Sequence, residues 1–492
     1  MKAIYQKLSF KKLLVGVLFG VLCTVKITFA SAGINIDVEN RCFYPVTFSM
    51  GDDNLTNIEM KVTIQSSTKK LLSYVKNRSV GINAVSDRGD KLGSLIVWLH
   101  DDTWGNYMDS RDLKGDIYID QPSMRWHSWN GTPTVTITTC KSKIDLSQSN
   151  LFNGIERVIF FGDSLSDKGT LHEYTLGVIP QSPPYYDGMF SNGDTWAVQF
   201  SNDLREKGIE ASNYAVGGAT TVLDVTGSLP YSLEGEYNTY TLNTTLKGWT
   251  NQDKQLAIIF IGANDYLTAK AYMTDQEVDQ LTSSVINQIQ STITNLINYG
   301  VKRFIVIGLP DISFTPESQF DSKNTDSTHA LALMHNQKLQ QMVASLQSSY
   351  ANSGMMFKYI DIASMFDELI NQTDQINQEY HLLLNPALNT QSCWNGGYST
   401  SGVSNLTQNN NSQTKLQTLI NKYYVNQSVD VINVLNQLPD TADIRSAVLV
   451  ANSGQLCSNP ENYIFWDRVH PTSQIHNALY LYIKEKLNIK SI

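Results

Sequence analysis

Three near-continuous apolar runs constrain the fold of this chain more than any other feature. They are "RVIFF" (157–161), "LAIIFIG" (256–262) and "RFIVIG" (303–308), and each ends in a glycine or a polar loop. Runs without polar alternation are typical of strands in a parallel sheet that is covered on both faces. We therefore predict a parallel sheet that begins near residue 157.

The segments around these runs have helical spacing. Apolar residues between the second and third runs recur three or four positions apart, at Val278, Leu281, Val285, Ile289, Ile293 and Leu296. Thr274 or Asp275 could cap the start of this helix and Gly300 its end. A second helix is predicted over residues 328–350, followed by a strand in "MFKYIDI". The alternation predicts an α/β fold, a three-layer α/β/α domain over residues 151–492.

Residues 33–145 have a different pattern. Short alternating runs such as "MKVTIQ", "SLIVWLH" and "TVTITTC" are separated by Gly, Asp and Asn clusters. This pattern predicts a small antiparallel β domain that precedes the α/β domain. Half of the eight tryptophans lie there, at Trp98, Trp104, Trp126 and Trp129. They either pack in that domain or anchor it at a membrane interface.

Residues 1–32 have the composition of a secretory signal peptide. Lysines precede an apolar run over 13–25, and Ala30-Ser31-Ala32 forms a small-x-small cleavage site. The run is short for a membrane anchor, which needs about 20 apolar residues. We predict a secreted protein, extracellular or periplasmic. Losing the five lysines of this segment changes the formal net charge from −9 to −14, which argues against nucleic acid as a partner.

Four cysteines remain after this processing: Cys42, Cys140, Cys393 and Cys457. An even number in an exported chain suggests two disulfides, and of the three possible pairings sequence proximity favours Cys42–Cys140 and Cys393–Cys457. The second bridge would close a polar insertion, 393–457, with one predicted helix at 413–424, and would contribute roughly 4 kcal/mol by loop closure. No cysteine or histidine cluster has zinc spacing, so we expect no metal, and we expect no other cofactor.

The first apolar run leads into "GDSLSD", where Ser164 follows the strand at a sharp break. A serine there is either a helix cap or a nucleophile that needs a base. The candidate base and its acid are in "FWDRVHPT", where Asp467 and His470 are three residues apart. That spacing lets Asp467 bind one imidazole nitrogen while the other faces the serine. Asp163 is not assigned as this acid, and the Gly-x-Ser-x-Gly elbow is absent.

Two further blocks offer donors for an oxyanion hole. Gly218 in "NYAVGGATT" lets a backbone N–H approach a substrate, and Asn264 in "FIGANDY" carries a side-chain amide. The backbone N–H of Ser164 would be the third donor. Taken alone, Gly218 is equally consistent with a tight turn and Asn264 with a cap.

The order of these four blocks resembles the GDSL or SGNH hydrolase family, named for its Ser, Gly, Asn and His. The matching residues are Ser164, Gly218, Asn264, and Asp467 with His470. The stretch "SPPYYDGMFSNGDTW" (182–196) is also similar to a family pattern, and the resemblance covers about residues 156–392 and 457–488. It implies a serine esterase that works through an acyl-enzyme.

Within that family the chain looks most like the secreted bacterial branch of phospholipases, glycerophospholipid:cholesterol acyltransferases and thermolabile haemolysins. The resemblance implies a phospholipid or lysophospholipid substrate, transient contact with a membrane surface, and cholesterol as a potential acyl acceptor. In some relatives a protease activates the enzyme by cutting a disulfide-bounded loop, so an activating protease is a hypothesis for the 393–457 insertion.

Two other functions are open. A carbohydrate-ester deacetylase would use the same catalytic residues, because the motifs do not choose the acyl group. A secreted binding protein with a vestigial hydrolase domain is the alternative from a different class. Assays of a phospholipid and an acetylated sugar side by side would distinguish a phospholipase from a deacetylase. Turnover of either substrate would exclude a vestigial hydrolase domain.

Overall fold

The structure is a computed structural model that describes residues 34–491, apart from the segments 43–44, 65–67, 73–78, 87–88, 103–104, 116, 122, 127–132, 141–143, 222–230, 268, 271, 321–324, 397–440, 442–443 and 445–453. The predicted signal peptide and the predicted 413–424 helix lie outside the described residues.

The N-terminal part consists of two β-sheets. A six-stranded sheet has the order β3-β2-β5-β6-β7-β9 and a four-stranded sheet has the order β4-β1-β10-β8. The strands are β1 (Asn35–Asn40), β2 (Val46–Gly51), β3 (Ile58–Ile64), β4 (Thr68–Leu72), β5 (Val80–Ser86), β6 (Lys91–Asp102), β7 (Gly105–Gly115), β8 (Ile117–Ile119), β9 (Ser123–Trp126) and β10 (Thr134–Thr139).

All but one of the described strand pairs in these sheets are antiparallel. The predicted antiparallel β domain is confirmed, with one exception: β1 and β10 pair in parallel, from Asn35 opposite Thr134 to Asn40 opposite Thr139. Cys42 and Cys140 follow the ends of these two strands and form a disulfide. Parallel strands end at the same edge, which brings the two cysteines together.

The sheets enclose an apolar core of their own, which includes Ile36, Phe48, Ile82 and Val135. Beyond it, Arg41 forms an ion pair of 3.0 Å with Glu206 of the following α/β part. Trp98 packs under the guanidinium of Arg111, at 3.7 Å from the ring centroid.

The second part is built on a five-stranded parallel sheet with the order β13-β12-β14-β15-β16. A separate two-stranded ribbon joins β11 to β17. The strands are β11 (Ile144–Asp145), β12 (Arg157–Gly162), β13 (Glu210–Asn213), β14 (Gln255–Phe260), β15 (Arg303–Ile307), β16 (Met356–Ile360) and β17 (Lys490–Ser491). Strands β12 and β14 are almost wholly buried, which confirms their prediction from the apolar runs.

Helices cover this sheet in the α/β/α arrangement predicted from the sequence. They are α1 (Thr170–Tyr174), α2 (Trp196–Glu206), α3 (Leu233–Lys247), α4 (Ala263–Tyr266), α5 (Asp275–Tyr299), α6 (Pro316–Phe320), α7 (Thr325–Ser349), α8 (Ala363–Asn371), α9 (Thr373–Glu379) and α10 (Ser473–Lys486). Short 3₁₀ turns lie at Asn150–Phe152, Gln252–Lys254, Ile312–Phe314, Pro386–Leu388 and Pro460–Asn462.

Helix α5 has the predicted bounds and end signals. Thr274 accepts a hydrogen bond from the N–H of Glu277, whose side chain returns a bond to the Thr274 N–H, so the two form a capping box. Gly300 ends the helix in the left-handed conformation, at φ 112°. Helix α7 begins three residues before its predicted start.

The strand order places a topological switch at β12 and β14. From β12 the chain continues to β13 at one edge of the sheet, whereas from β14 it continues to β15 in the direction of the other edge. A crevice therefore opens beyond the carboxyl ends of β12 and β14. Ser164 and Asn264 follow these two strand ends. In the part of the chain that the structure describes, no helix is long and apolar enough to span a bilayer.

Candidate active site

Ser164 lies in a tight turn that directly follows β12. The carbonyl of Asp163 accepts the N–H groups of Ser166 and Asp167, both at 3.0 Å, and the Asp163 carboxylate accepts the N–H of Leu165. Gly162 is required before this turn, because a Cβ there would lie 2.4 Å from the carbonyl oxygen of Phe260 on β14. The turn therefore holds the buried Ser164 at the carboxyl end of β12.

His470 and Asp467 form a buried pair in the loop before α10. His470 Nδ1 lies 2.7 Å from Asp467 Oδ2, and both side chains are almost inaccessible to solvent. Asp467 Oδ1 also accepts the backbone N–H groups of Val469 and His470, each at 2.8 Å. Since a carboxylate only accepts hydrogen bonds, the imidazole carries its proton on Nδ1 and Nε2 is the basic nitrogen.

Tyr185 donates a second side-chain hydrogen bond to Asp467, at 2.6 Å. Burial works to raise the pKa of Asp467, but the attraction to His470 and the hydrogen bonds from His470 and Tyr185 outweigh it and hold the pKa below its ordinary value. Asp467 is therefore a carboxylate at neutral pH.

Phe190 packs between the histidine and the loop after β13. Its ring centroid lies 4.7 Å from that of His470, and a Cβ at Gly217 would overlap its ring at 2.1 Å. Glycine at 217 thus allows the aromatic ring to contact the main chain. Ser191 and Asn192 then bind the backbone of Pro471 and Ser473. The stretch 182–196 consequently holds the histidine loop in place.

Gly218 lies in the loop after β13 in the left-handed conformation, at φ 77°, which favours glycine. The insertion contacts it: a Cβ at position 218 would lie 2.8 Å from the Ile444 side chain and 3.0 Å from Thr441 Oγ1. Both residues are buried. Two residues of the 393–457 insertion therefore pack against the Cα of a candidate oxyanion residue.

Asn264 lies on α4, at the carboxyl end of β14, and its side-chain amide donates to the Ala219 carbonyl at 3.2 Å. The next residue, Asp265, accepts both the N–H and the hydroxyl of Thr221. These bonds attach the block after β14 to the loop that contains Gly218. They orient the amide of Asn264 along that loop.

The base of the insertion is bonded to the histidine loop. Cys393 and Cys457 form a disulfide, and the N–H of Cys393 donates to the carbonyl of Phe465. The N–H of Trp394 donates to the carbonyl of Trp466, directly before Asp467. A structural change in the insertion can thus reach Asp467 and His470 through a few backbone bonds.

A cleft opens at the carboxyl ends of the strands, with roughly 480 Å³ of empty space when the open solvent at its mouth is included, and Ser164 lines it. Its walls include Val469 and Pro471, which flank His470, and Ala263, which precedes Asn264. Most of the remaining lining is apolar: Leu165, Leu267, Pro310, Ile312, Phe366 and Phe465, with Asp163, Asp311 and Thr315 as polar members. A cleft of this kind is suited to an apolar group, and the serine is at its wall.

Other buried histidines do not have the partner that His470 has. His335 and His476 are fully buried, and burial lowers the pKa of each to about 3. His335 Nδ1 bonds the hydroxyl of Tyr266, and His476 Nδ1 faces the N–H of Trp196. Among the buried histidines that the structure describes, His470 is the one bonded to a carboxylate.

All five predicted site residues, Ser164, Gly218, Asn264, Asp467 and His470, lie at or beside the carboxyl edge of the parallel sheet. Sequence reasoning missed Tyr185 and Phe190 as individual contacts, although both lie in the stretch 182–196 that it had singled out. It also missed the contact of Ile444 with Gly218. Within the described residues, no group of three or more His, Cys, Asp or Glu side chains could hold a metal ion.

A serine at the switch point of a three-layer parallel sheet, in a cleft lined also by the neighbours of a buried imidazole–carboxylate pair, is typical of serine acyl hydrolases. The sequence model of the GDSL-like Lipase/Acylhydrolase family matches residues 158–483, and the chain belongs to that family. The match includes every one of the five site residues. Membership of this family makes the protein an esterase or lipase.

Three relatives with known names are similar to this chain. A phosphatidylcholine-sterol acyltransferase of Aeromonas hydrophila is 27% identical over 325 residues, covering 66% of this chain and 87% of the relative. The secreted effector protein SseJ of Salmonella typhimurium is 31% identical over 231 residues, covering 46% and 51%. A thermolabile hemolysin of Vibrio parahaemolyticus is 22% identical over 226 residues, covering 45% and 49%. The chain therefore spans about half the length of the last two.

Proposed function

We propose that this protein is a secreted phospholipase A and lysophospholipase that uses Ser164 as its nucleophile, with transfer of the acyl group to a sterol as a second outcome. The observation that supports this most is that Ser164 lines a largely apolar cleft together with Val469 and Pro471, the two neighbours of the His470 that is paired with Asp467. The names of the acyltransferase and haemolysin relatives support a lipid as the substrate.

In the proposed first step, His470 Nε2 takes the proton of Ser164 as the hydroxyl oxygen attacks an ester carbonyl. Ionised Asp467 stabilises the resulting imidazolium, and Tyr185 and the backbone N–H groups keep the carboxylate in position. The N–H groups of Ser164 and Gly218 and the Asn264 amide would receive the oxyanion. His470 then protonates the leaving alcohol.

In the second step, water or an acceptor hydroxyl attacks the acyl-enzyme, with His470 again as the base. Water gives a free fatty acid, whereas a sterol hydroxyl gives a sterol ester. The lining around Phe366 and Phe465 would receive the acyl chain, because burial of each methylene contributes about 0.8 kcal/mol.

Product analysis on mixed phospholipid vesicles, with and without cholesterol, tests this function. We expect free fatty acid and lysophospholipid, then loss of the lysophospholipid, and sterol ester only when cholesterol is present. Acetylated xylan is the parallel substrate. Release of acetate from xylan without any fatty acid from vesicles would instead identify a carbohydrate-ester deacetylase.

Phe320 is proposed as a contact with the membrane surface. It is 72% exposed at the end of α6, and the guanidinium of Arg468 lies 4.2 Å from its ring centroid. Arg468 precedes Val469 and α6 directly follows Thr315, so Phe320 is on a helix next to two residues of the cleft lining. An exposed aromatic side chain in this place can insert among lipid headgroups.

The variant Phe320→Ser should therefore weaken vesicle binding on the order of 5-fold, as expected for partial burial of one aromatic side chain. Sedimentation with phosphatidylcholine vesicles measures this, and turnover of a short soluble ester should not change. Leu246→Ser is the matched control, since Leu246 is 73% exposed but lies near the carboxyl end of α3, towards the opposite edge of the sheet. Equal binding by both variants would exclude the contact.

We also propose that a protease activates the enzyme by cutting the 393–457 insertion, because residues of this insertion contact Gly218. Ile444 and Thr441 contact the Cα of Gly218, so cutting the insertion should free this part of the oxyanion loop. A cleavage site for a specific protease, placed within residues 405–412, gives a single defined cut. Hydrolysis should rise by at least about tenfold on cutting, because a blocked oxyanion donor costs about 100- to 1000-fold.

The control for this experiment is the unaltered chain treated with the same protease, assayed on the same soluble ester. Equal rates for the intact and the cut protein would show that Ile444 does not restrict the site.

A further inference from the structure

Two buried carboxyl groups lie behind the candidate oxyanion hole, and the proposed mechanism uses neither. Glu236 is in the first turn of α3 and Asp167 is three residues after Ser164, and both are fully buried. Buried carboxyl groups are costly unless hydrogen bonds satisfy them. The bonds they form lead to the same two loops.

Glu236 binds the end of the nucleophile strand. Its Oε2 accepts the N–H of Gly162 at 2.9 Å, two residues before Ser164. The N–H of Val216, in the loop that carries Gly218, also faces this carboxyl and bonds the carbonyl of Gly162 at 3.0 Å. Glu236 thus lies at the junction of the strand end and the oxyanion loop.

Asp167 forms the complementary link. Its Oδ2 accepts the N–H of Gly217 at 2.8 Å, directly before Gly218, and also the N–H of Leu171. Its Oδ1 accepts the N–H groups of Gly169 and Thr170. Each oxygen therefore accepts two donors, and a side chain with one amide nitrogen could not satisfy all four.

We propose that Glu236 and Asp167 are positioning residues that hold the main chain of residues 216–218 against the Ser164 turn, and so set the spacing of the Ser164 and Gly218 N–H groups. This inference rests on the proposed function, because it concerns the donors of that reaction. A donor that is displaced no longer meets the charge that develops on the substrate oxygen.

Burial raises the pKa of Glu236 well above its ordinary value, and Asp163 and Asp167 act in the same direction, against the N–H groups of Gly162 and Val216. A neutral acid and an amide carry the same kind of acceptor oxygen, so Gln can replace Glu236. Burial also raises the pKa of Asp167, but the N–H groups of Thr170, Gly217 and Leu171 oppose that effect.

The test measures kcat and KM on p-nitrophenyl butyrate at a temperature far below the melting point of every variant. Glu236→Met removes the hydrogen-bond acceptor and keeps a side chain of similar volume. It should lower kcat by about 10- to 100-fold, because part of one oxyanion interaction is lost, and should change KM by less than about threefold. Glu236→Gln should stay within threefold of the wild type. Glu234→Met, an exposed change in the same helical turn, should behave as the wild type.

Asp167→Asn gives the opposite expectation from Glu236→Gln. Its amide nitrogen would oppose two N–H donors, so kcat should fall by about tenfold or more, in line with a lost oxyanion contact. Reaction with a p-nitrophenyl alkylphosphonate, in which the Ser164 oxygen displaces p-nitrophenolate and leaves an anionic phosphonate oxygen on the serine, should slow in parallel with kcat.

Unchanged kcat in folded Glu236→Met, or a loss of tenfold or more in Glu236→Gln, would overturn the positioning role. If Glu236→Met does not fold, the kcat of Glu236→Gln still tests the positioning role. A wild-type protein that does not hydrolyse the ester would refute the proposed function, whereas an active wild type with an equally active Met variant refutes this inference alone.

Discussion

Ser164→Ala should lower kcat for ester hydrolysis by roughly a million-fold, because removing the nucleophile of such a triad removes most of its catalytic effect. The change deletes one oxygen from a turn whose backbone bonds are made by Asp163, so the fold should be retained. Turnover of p-nitrophenyl butyrate, together with a thermal melt of the same sample, measures both expectations.

Ser166→Ala is the matched control for this experiment. Ser166 lies two residues away in the same turn and is equally buried. Its alanine variant should keep the wild-type rate, since Ser166 is held by its backbone, whose N–H donates to Asp163 and whose carbonyl accepts from Asn213. A well-folded Ser164→Ala protein with normal turnover would remove Ser164 from the proposed mechanism.

Asp467→Asn should lower kcat by about 10,000-fold at neutral pH, because the amide no longer holds the imidazole in the tautomer with a basic Nε2. KM should change little, since Asp467 contacts His470 and Tyr185 and does not line the cleft. Asp374→Asn, an exposed carboxylate on α9, is the control and should leave kcat unchanged.

The same pair predicts how stability depends on pH. The pKa of Asp467 in the folded protein is below its ordinary value of 3.8, so its contribution is present above pH 3.8 and is lost as the pH falls through the lower folded value. The difference in melting temperature between the wild type and Asp467→Asn should therefore narrow as the pH falls below about pH 4. A difference that stays constant down to about pH 2.5 would contradict an ionised Asp467.

Much of the α/β domain could be predicted because its strands and helices have strong local signals. Strand β14 is a continuous apolar run, and α5 has both its capping box and its terminal glycine within the sequence itself. The spacing of Asp467 and His470 predicts their contact, because three residues in a tight loop bring the side chains together. Local chemistry was sufficient in each of these cases.

The elements that sequence reasoning missed depend on distant parts of the chain. Strand β13 has the polar sequence "EASN", and it becomes a strand because β12 offers it a free edge. Tyr185 reaches Asp467 across 282 residues, and Glu236 reaches Gly162 across 74. A buried Glu in a helical turn carries no local sign of its partner, so such contacts require the packed structure.

The domain division at residues 145–151 stays a prediction, as do the signal peptide and the catalytic roles. In the structure, Ile144 is part of the core of the α/β part, and β11 pairs with the C-terminal strand β17. The last residues of the predicted N-terminal domain are therefore paired with β17, the last strand of the α/β part. A shortened protein that begins at residue 151 would lack this strand pair.

The Cys393–Cys457 bridge has a consequence for the covalent structure of any cut form. One break between these cysteines would leave Ser164, Gly218 and Asn264 on one polypeptide, and Asp467 and His470 on another. Cys457 lies on the second and is bridged to Cys393 on the first, so the product is a disulfide-linked heterodimer that runs as one band on a gel until it is reduced. The two halves of the site would then share no peptide bond, and a single sulfur–sulfur bond would join them.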